Sequence, residues 1–131
     1  MEKNNTHLSG EYFVAAELYR RSFSVGMTIG NAKAIDLFVN KDDKIIPLQV
    51  KAIKDKKSVG WPIMRNQIKD GVLYIFVNLN GDEFPPDYYI LTATEAREKV
   101  KQYTTRGIID LTSLKSDKYF NRWDKLNLFK N

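Results

Sequence analysis

The sequence predicts a single α/β domain with a mixed central sheet flanked by helices. Three observations lead there. Residues 8–21 carry apolar side chains at helical spacing. Short runs rich in Val, Ile and Phe follow, bounded by turn residues, and Val72–Leu79 is apolar on both faces, as a strand inside a sheet must be. Further on, Thr92-Ala-Thr-Glu95 is a capping-box signature that opens a second helix after the strands. At 131 residues, 43% apolar and 28% charged, the chain suits one folded domain with one core.

The elements follow in order. Residues 1–6 read as a polar tail. A helix from about Leu8 to Arg21 places Val14, Ala15 and Leu18 three, four and seven residues after Glu11, so Glu11 lies on the packed stripe. Glu17 falls outside that stripe and reads as a surface acid, and His7, one turn before Glu11, as a surface residue. Ser22–Thr28 is the first strand, Ile29-Gly30-Asn31 a turn, and Ala34–Val39 the second strand. A charged turn at Asn40–Lys44 leads to the third, Ile45–Ile53. A basic loop runs to Gly60, a short irregular or helical segment to Gly71, and Val72–Leu79 forms the central strand. Tyr88–Leu91 adds another strand, and a helix runs from Thr92 to about Tyr103. Ile108–Leu111 is expected as an edge strand, and Asp117–Leu126 as a closing helix burying Phe120 and Trp123. Residues 8–79 form the core of the domain, with 80–131 as its C-terminal strand and helices.

Composition limits the chemistry. There is no cysteine and only one histidine, which excludes disulfides and thiolate metal sites. Reactive groups must come from carboxylates, amides, lysines, hydroxyls or a hard cation. No apolar run approaches the ~20 residues of a membrane span, and the N-terminus lacks an apolar signal core, so the expected location is cytoplasmic, with no membrane partner. The net charge of +5 favours a polyanionic partner. Lys51, Lys54, Lys56 and Lys57 cluster after the third strand, opposed only by Asp55, either as a solvated loop or as a rim that contacts phosphate.

Four residues are polar where the pattern demands apolar ones: Glu11, Asp36, Gln49 and Lys51. Gln49 and Lys51 share one face of their strand and Val50 takes the other. Burying an acid, an amide and an amine together is costly unless they serve one another or a ligand. One account is a buried Asp36–Lys51 ion pair, with Gln49 hydrogen-bonding across the strands and Glu11 serving the helix dipole. The other is a metal site. Phosphodiester cleavage needs charge neutralisation at phosphate and an activated water, both of which Mg²⁺ with oxygen ligands supplies. Asp36 would then be the main anionic ligand, Gln49 a neutral one and the Val50 backbone carbonyl a third. Glu11 would hold the ion's water shell or a second cation. Lys51 would orient water or stabilise charge on phosphate.

The order helix acid, strand acid, then Gln-x-Lys, with spacings of 25, 13 and 2, resembles the signature of the PD-(D/E)XK nuclease superfamily. The matching segments are Gly10-Glu11-Tyr-Phe-Val-Ala-Ala, Ala34-Ile35-Asp36 and Leu48-Gln49-Val50-Lys51. They lie within residues 8–53, and Val72–Leu79 suits the following core strand. The resemblance implies a restriction-endonuclease-like core (α-β-β-β-…-β). It also implies a Mg²⁺-dependent endonuclease, with Mn²⁺ able to substitute, acting on double-stranded or branched DNA as a homodimer or higher homo-oligomer. Ile35 stands where the motif has proline, and Gln49 where it has a carboxylate. The amide removes one negative charge, which weakens metal affinity and leaves a second reading open: an inactive nuclease-fold module binding nucleic acid or a protein. Lys33 and Arg65 complete the expected nucleic-acid contacts with Lys54, Lys56 and Lys57. Trp61 reads as a core or hinge aromatic.

Overall fold

The computed structural model describes residues 3–28 and 34–129. Helix α1 (Lys3–Arg20) is followed by strands β1 (Ser24–Met27), β2 (Leu37–Lys41) and β3 (Lys44–Ile53). Next come β4 (Gly60–Pro62), β5 (Leu73–Asn78) and β6 (Asp87–Leu91), then helix α2 (Ala93–Lys99). Strands β7 (Lys101–Gln102) and β8 (Gly107–Asp110) and a terminal turn of helix α3 (Lys125–Leu128) complete the chain, with 3-10 turns at Arg65–Gln67 and Leu111–Leu114. The helix begins at Lys3, so the residues expected as a polar tail are helical from that point.

The main sheet runs β1-β2-β3-β5-β6. Only β3 and β5 pair in parallel and the other neighbours are antiparallel, which gives the expected mixed sheet. The β2–β3 hairpin closes at Asp42 and Asp43, whose φ angles of 49° and 65° suit a two-residue turn of the primed type. Every residue of β5 is buried, because apolar layers cover both faces of the sheet. Leu48 and Val50 of β3 join Val14 and Leu18 of α1 in one core cluster, together with Ile75, Val77 and Trp123. The opposite layer gathers Ile53, Trp61, Phe76, Leu91 and Ile109. Trp61 is therefore a core residue, its indole N–H donating to the Val77 carbonyl at 3.0 Å.

Three expectations are corrected. Residues 108–111 do not extend the main sheet: β8 pairs with β4 and β7 in a separate three-stranded sheet. Asp117–Leu126 is not a continuous helix. The Ile90 N–H donates to Tyr119, the Asn121 N–H donates to Tyr88, and Asn121 has a φ of 53°, so the segment hydrogen-bonds along β6. Only Lys125–Leu128 is helical. Glu17 is not a surface acid but is buried, ion-paired with Arg20 at 2.9 Å and Arg21 at 2.8 Å. Burial, then the nearby Glu17 carboxylate, push the Tyr88 hydroxyl up to about 12, with Arg20 opposing.

Candidate active site

The site lies where β2 stops accompanying β3. The last residue pair of the hairpin is Leu37 with Leu48. One residue earlier, the Asp36 backbone is fixed from both sides: its N–H donates to the Leu48 carbonyl at 2.9 Å, and its carbonyl accepts from the Thr28 N–H at 3.0 Å. The Thr28 hydroxyl ties the same segment by donating to the Ile35 carbonyl at 2.6 Å. Past this point β2 supplies no strand partner for Val50. The Asp36 side chain takes over, its Oδ2 accepting the Val50 N–H at 2.7 Å. The Val50 carbonyl leaves the strand on the same edge as that N–H, so the carbonyl named as a ligand in the sequence faces the Asp36 side of β3.

Gln49 is anchored differently. Its Nε2 donates to the Ala34 carbonyl at 2.9 Å, which settles which end of the amide is which. Its Oε1 is buried and has no hydrogen-bond partner among the described residues. A buried amide oxygen left unpaired costs about 1–3 kcal/mol, a cost that a cation at this position would remove. Lys51 follows on the same face, half-buried, and forms no ion pair with Asp36 among the described residues. A simple Asp36–Lys51 pair therefore does not account for the polar cluster.

Helix α1 brings Glu11 to the same place. Gly10 permits the approach, since a Cβ there would stand 2.6 Å from the Ala52 Cβ on β3. Glu11 is 1% exposed and Asp36 2%. His7 joins them, its Nε2 lying 2.6 Å from Glu11 Oε2 and 3.7 Å from Asp36 Oδ1. One donor atom from each of the three lies within 4.8 Å of the others. Two carboxylates at such a separation repel by about 4 kcal/mol at an effective dielectric of ~20, so the pocket favours a cation. Two carboxylates here, with an amide oxygen unpartnered among the described residues and a strand carbonyl on the adjoining β3 residues, are the donor types that a divalent cation with oxygen ligands takes. Sequence reasoning placed His7 on the surface. The signal available was its position four residues before Glu11, on the same side of the helix.

The basic residues divide. Lys56 and Lys57 are exposed in the loop after β3. Lys54 is paired with Asp82 at 2.5 Å. Arg65 donates from Nη2 to the Val100 carbonyl at 2.7 Å and from Nε to the Arg97 carbonyl at 3.2 Å, serving the C-terminal end of α2. Lys33 and Asn31 lie outside the described residues. No helix among the described residues is long and apolar enough to cross a membrane.

No family model matches the sequence, nor does any curated protein. Solved structures do match. The chain is similar to the bacterial homing endonuclease I-Ssp6803I, with a TM-score of 0.64 at 11% identity over 96% of this chain and 93% of that one. It is also similar to Hjc, a Holliday junction resolvase from the archaeal hyperthermophile Archaeoglobus fulgidus, with a TM-score of 0.52 at 12% identity, covering 82% of this chain and 90% of that one. At these identities the likeness is one of fold.

Proposed function

We propose that this chain, which has the restriction-endonuclease-like fold of the PD-(D/E)XK nucleases, is a metal-dependent endonuclease that hydrolyses DNA phosphodiester bonds. The observation that carries the reading is the meeting, just before β2, of two buried carboxylates, Glu11 and Asp36, whose donor atoms lie within 4.8 Å of one another, beside Gln49, whose buried amide oxygen has no hydrogen-bond partner among the described residues. Asp36, Gln49 Oε1 and the Val50 carbonyl would hold the cation, with Glu11 beside them. A bound divalent ion, Mg²⁺ or Mn²⁺, supplies charge neutralisation at phosphate and a lowered pKa for water.

The remaining work belongs to the chain. Asp36 is fixed by hydrogen bonds at its N–H, its carbonyl and its carboxylate, so it need not reorganise on binding. Gln49 holds the segment leading into Asp36 through the Ala34 carbonyl, and its buried Oε1 has no hydrogen-bond partner among the described residues. Lys51 places a compact cation two residues beyond Gln49 on the same face, where it can stabilise negative charge growing on a phosphate or orient the attacking water. Lys56 and Lys57 would meet the DNA backbone beside the site. A duplex has two strands to cut, and the outer side of α1 exposes Leu8, Tyr12, Phe13 and Tyr19, a surface suited to a second copy of the chain.

Incubating the protein with supercoiled, linear, branched and single-stranded DNA, in Mg²⁺ and in Mn²⁺, tests the proposal. Chelator-sensitive cleavage of at least one duplex or branched substrate is the predicted result. Binding without cleavage of any substrate overturns it and leaves the inactive module.

A further inference from the structure

We propose that His7 is itself a ligand of the cation, so that the centre is a mixed imidazole–carboxylate one, selective for Mn²⁺ or a similar transition-metal ion over Mg²⁺. This rests on the cation site proposed above and adds to it a ligand and a class of ion. His7 and Glu11 are one helical turn apart on α1 and point to the same side. Their donor atoms meet at 2.6 Å, and the same imidazole nitrogen is 3.7 Å from Asp36 Oδ1. Adjacent ligands of a six-coordinate ion with bonds of about 2.1 Å stand about 3.0 Å apart. The two observed separations bracket that value, and one donor atom from each of the three residues lies within 4.8 Å of the others, a spacing at which one ion can sit among them.

Burial adds a direction. The His7 side chain is 40% exposed, whereas Glu11 and Asp36 beneath it are 1% and 3% exposed. The imidazole therefore stands at the mouth of the pocket, with its Nε2 turned inward onto the carboxylates. The choice of ion follows from donor chemistry. Mg²⁺ prefers an all-oxygen shell and keeps its waters, while neutral imidazole binds Mn²⁺ and the later divalent ions increasingly well. A glutamine at position 49 works the same way: the missing negative charge weakens an all-oxygen Mg²⁺ site, and a nitrogen donor makes up the loss for a transition metal.

The chain has one histidine, which makes the test unambiguous. The full chain, with its histidine labelled with ¹⁵N, is loaded with substoichiometric Mn²⁺ and read by pulsed electron paramagnetic resonance, without DNA. The predicted result is a hyperfine coupling to a directly bonded imidazole nitrogen, absent in His7→Gln. In that variant Mn²⁺ affinity falls about tenfold or more, while Mg²⁺ affinity holds. Mn²⁺ that binds in an Asp36-dependent manner without nitrogen coupling overturns the role of His7 and leaves the cation site standing. Mn²⁺ binding that Asp36→Asn does not weaken overturns both.

Discussion

Asp36 shows how a single side chain can end one element and begin a site. Had β2 continued alongside β3, the Val50 N–H would have a backbone partner; instead it donates to Asp36 Oδ2 at 2.7 Å. The carboxylate is thereby oriented by the strand it would serve. Gln49 is held with equal economy, one end of its amide tied to Ala34 and the other unpartnered among the described residues. If that oxygen binds the cation, Gln49→Glu adds a negative charge to the shell. Calorimetric titration should then show Mg²⁺ binding strengthened about tenfold, roughly 1.4 kcal/mol. An unchanged titration would remove Gln49 from the ligand set. Glu11, Asp36 and Gln49 were legible in the sequence because each interrupts an apolar pattern. His7 was not, because a histidine on the first turns of a helix breaks no pattern, and only the fold places it beside Asp36.

At the scale of elements, the approach of α1 to β3 decides whether Glu11 reaches the site at all. Gly10 sets that distance. Alanine at this position gains up to about 1 kcal/mol of helix propensity, but its methyl would lie 2.6 Å from the Ala52 Cβ, and overpacking of this kind costs about 1–3 kcal/mol. Overpacking wins, so Gly10→Ala should lower stability in urea denaturation and displace Glu11, weakening cation binding as well. A more stable variant with unaltered cation affinity would contradict the close contact. Six of the eight described strands were legible to within two or three residues because alternation and turn chemistry act locally, whereas β4 and β7 fell in stretches expected as irregular or helical. The segment expected as a helix over 117–126 was not. Phe120 and Trp123 have helical spacing, yet backbone bonds from Ile90 and Asn121 tie the segment to β6, and that competition is decided by tertiary contacts. The same holds for β8, whose sequence asks for a strand partner without saying which sheet provides it.

Over the whole molecule, a net charge of +5 becomes useful only through its placement. The basic loop begins where β3 ends at Ile53, two residues beyond Lys51, and leaves Lys56 and Lys57 exposed, while Lys54 and Arg65 are occupied by Asp82 and by the end of α2. Neutralising Lys56 and Lys57 together should therefore reduce the dependence of log K on log salt for duplex DNA by about 2. An unaltered slope would make the loop ordinary solvated surface. The resemblance carries the expectation of a homo-oligomer, for which the exposed aromatic side of α1 offers a face, and sedimentation equilibrium tests it: a monomer for the wild type at all concentrations would exclude that assembly. The architecture was legible because helix, strands and polar interruptions occur in one order. The exposed aromatic face of α1 was not, because the distribution of apolar residues around one helix does not say which of them the fold leaves uncovered.

The most direct test of the account compares the wild type with Asp36→Ala and Lys51→Ala on one cleavable DNA substrate in the same divalent ion, with circular dichroism recorded on all three. Cleavage by the wild type, loss of cleavage by at least a hundredfold in both variants, and unchanged spectra are the expected results. Cleavage persisting in folded Asp36→Ala would contradict the account, as would unfolding of both variants, which would make these residues structural.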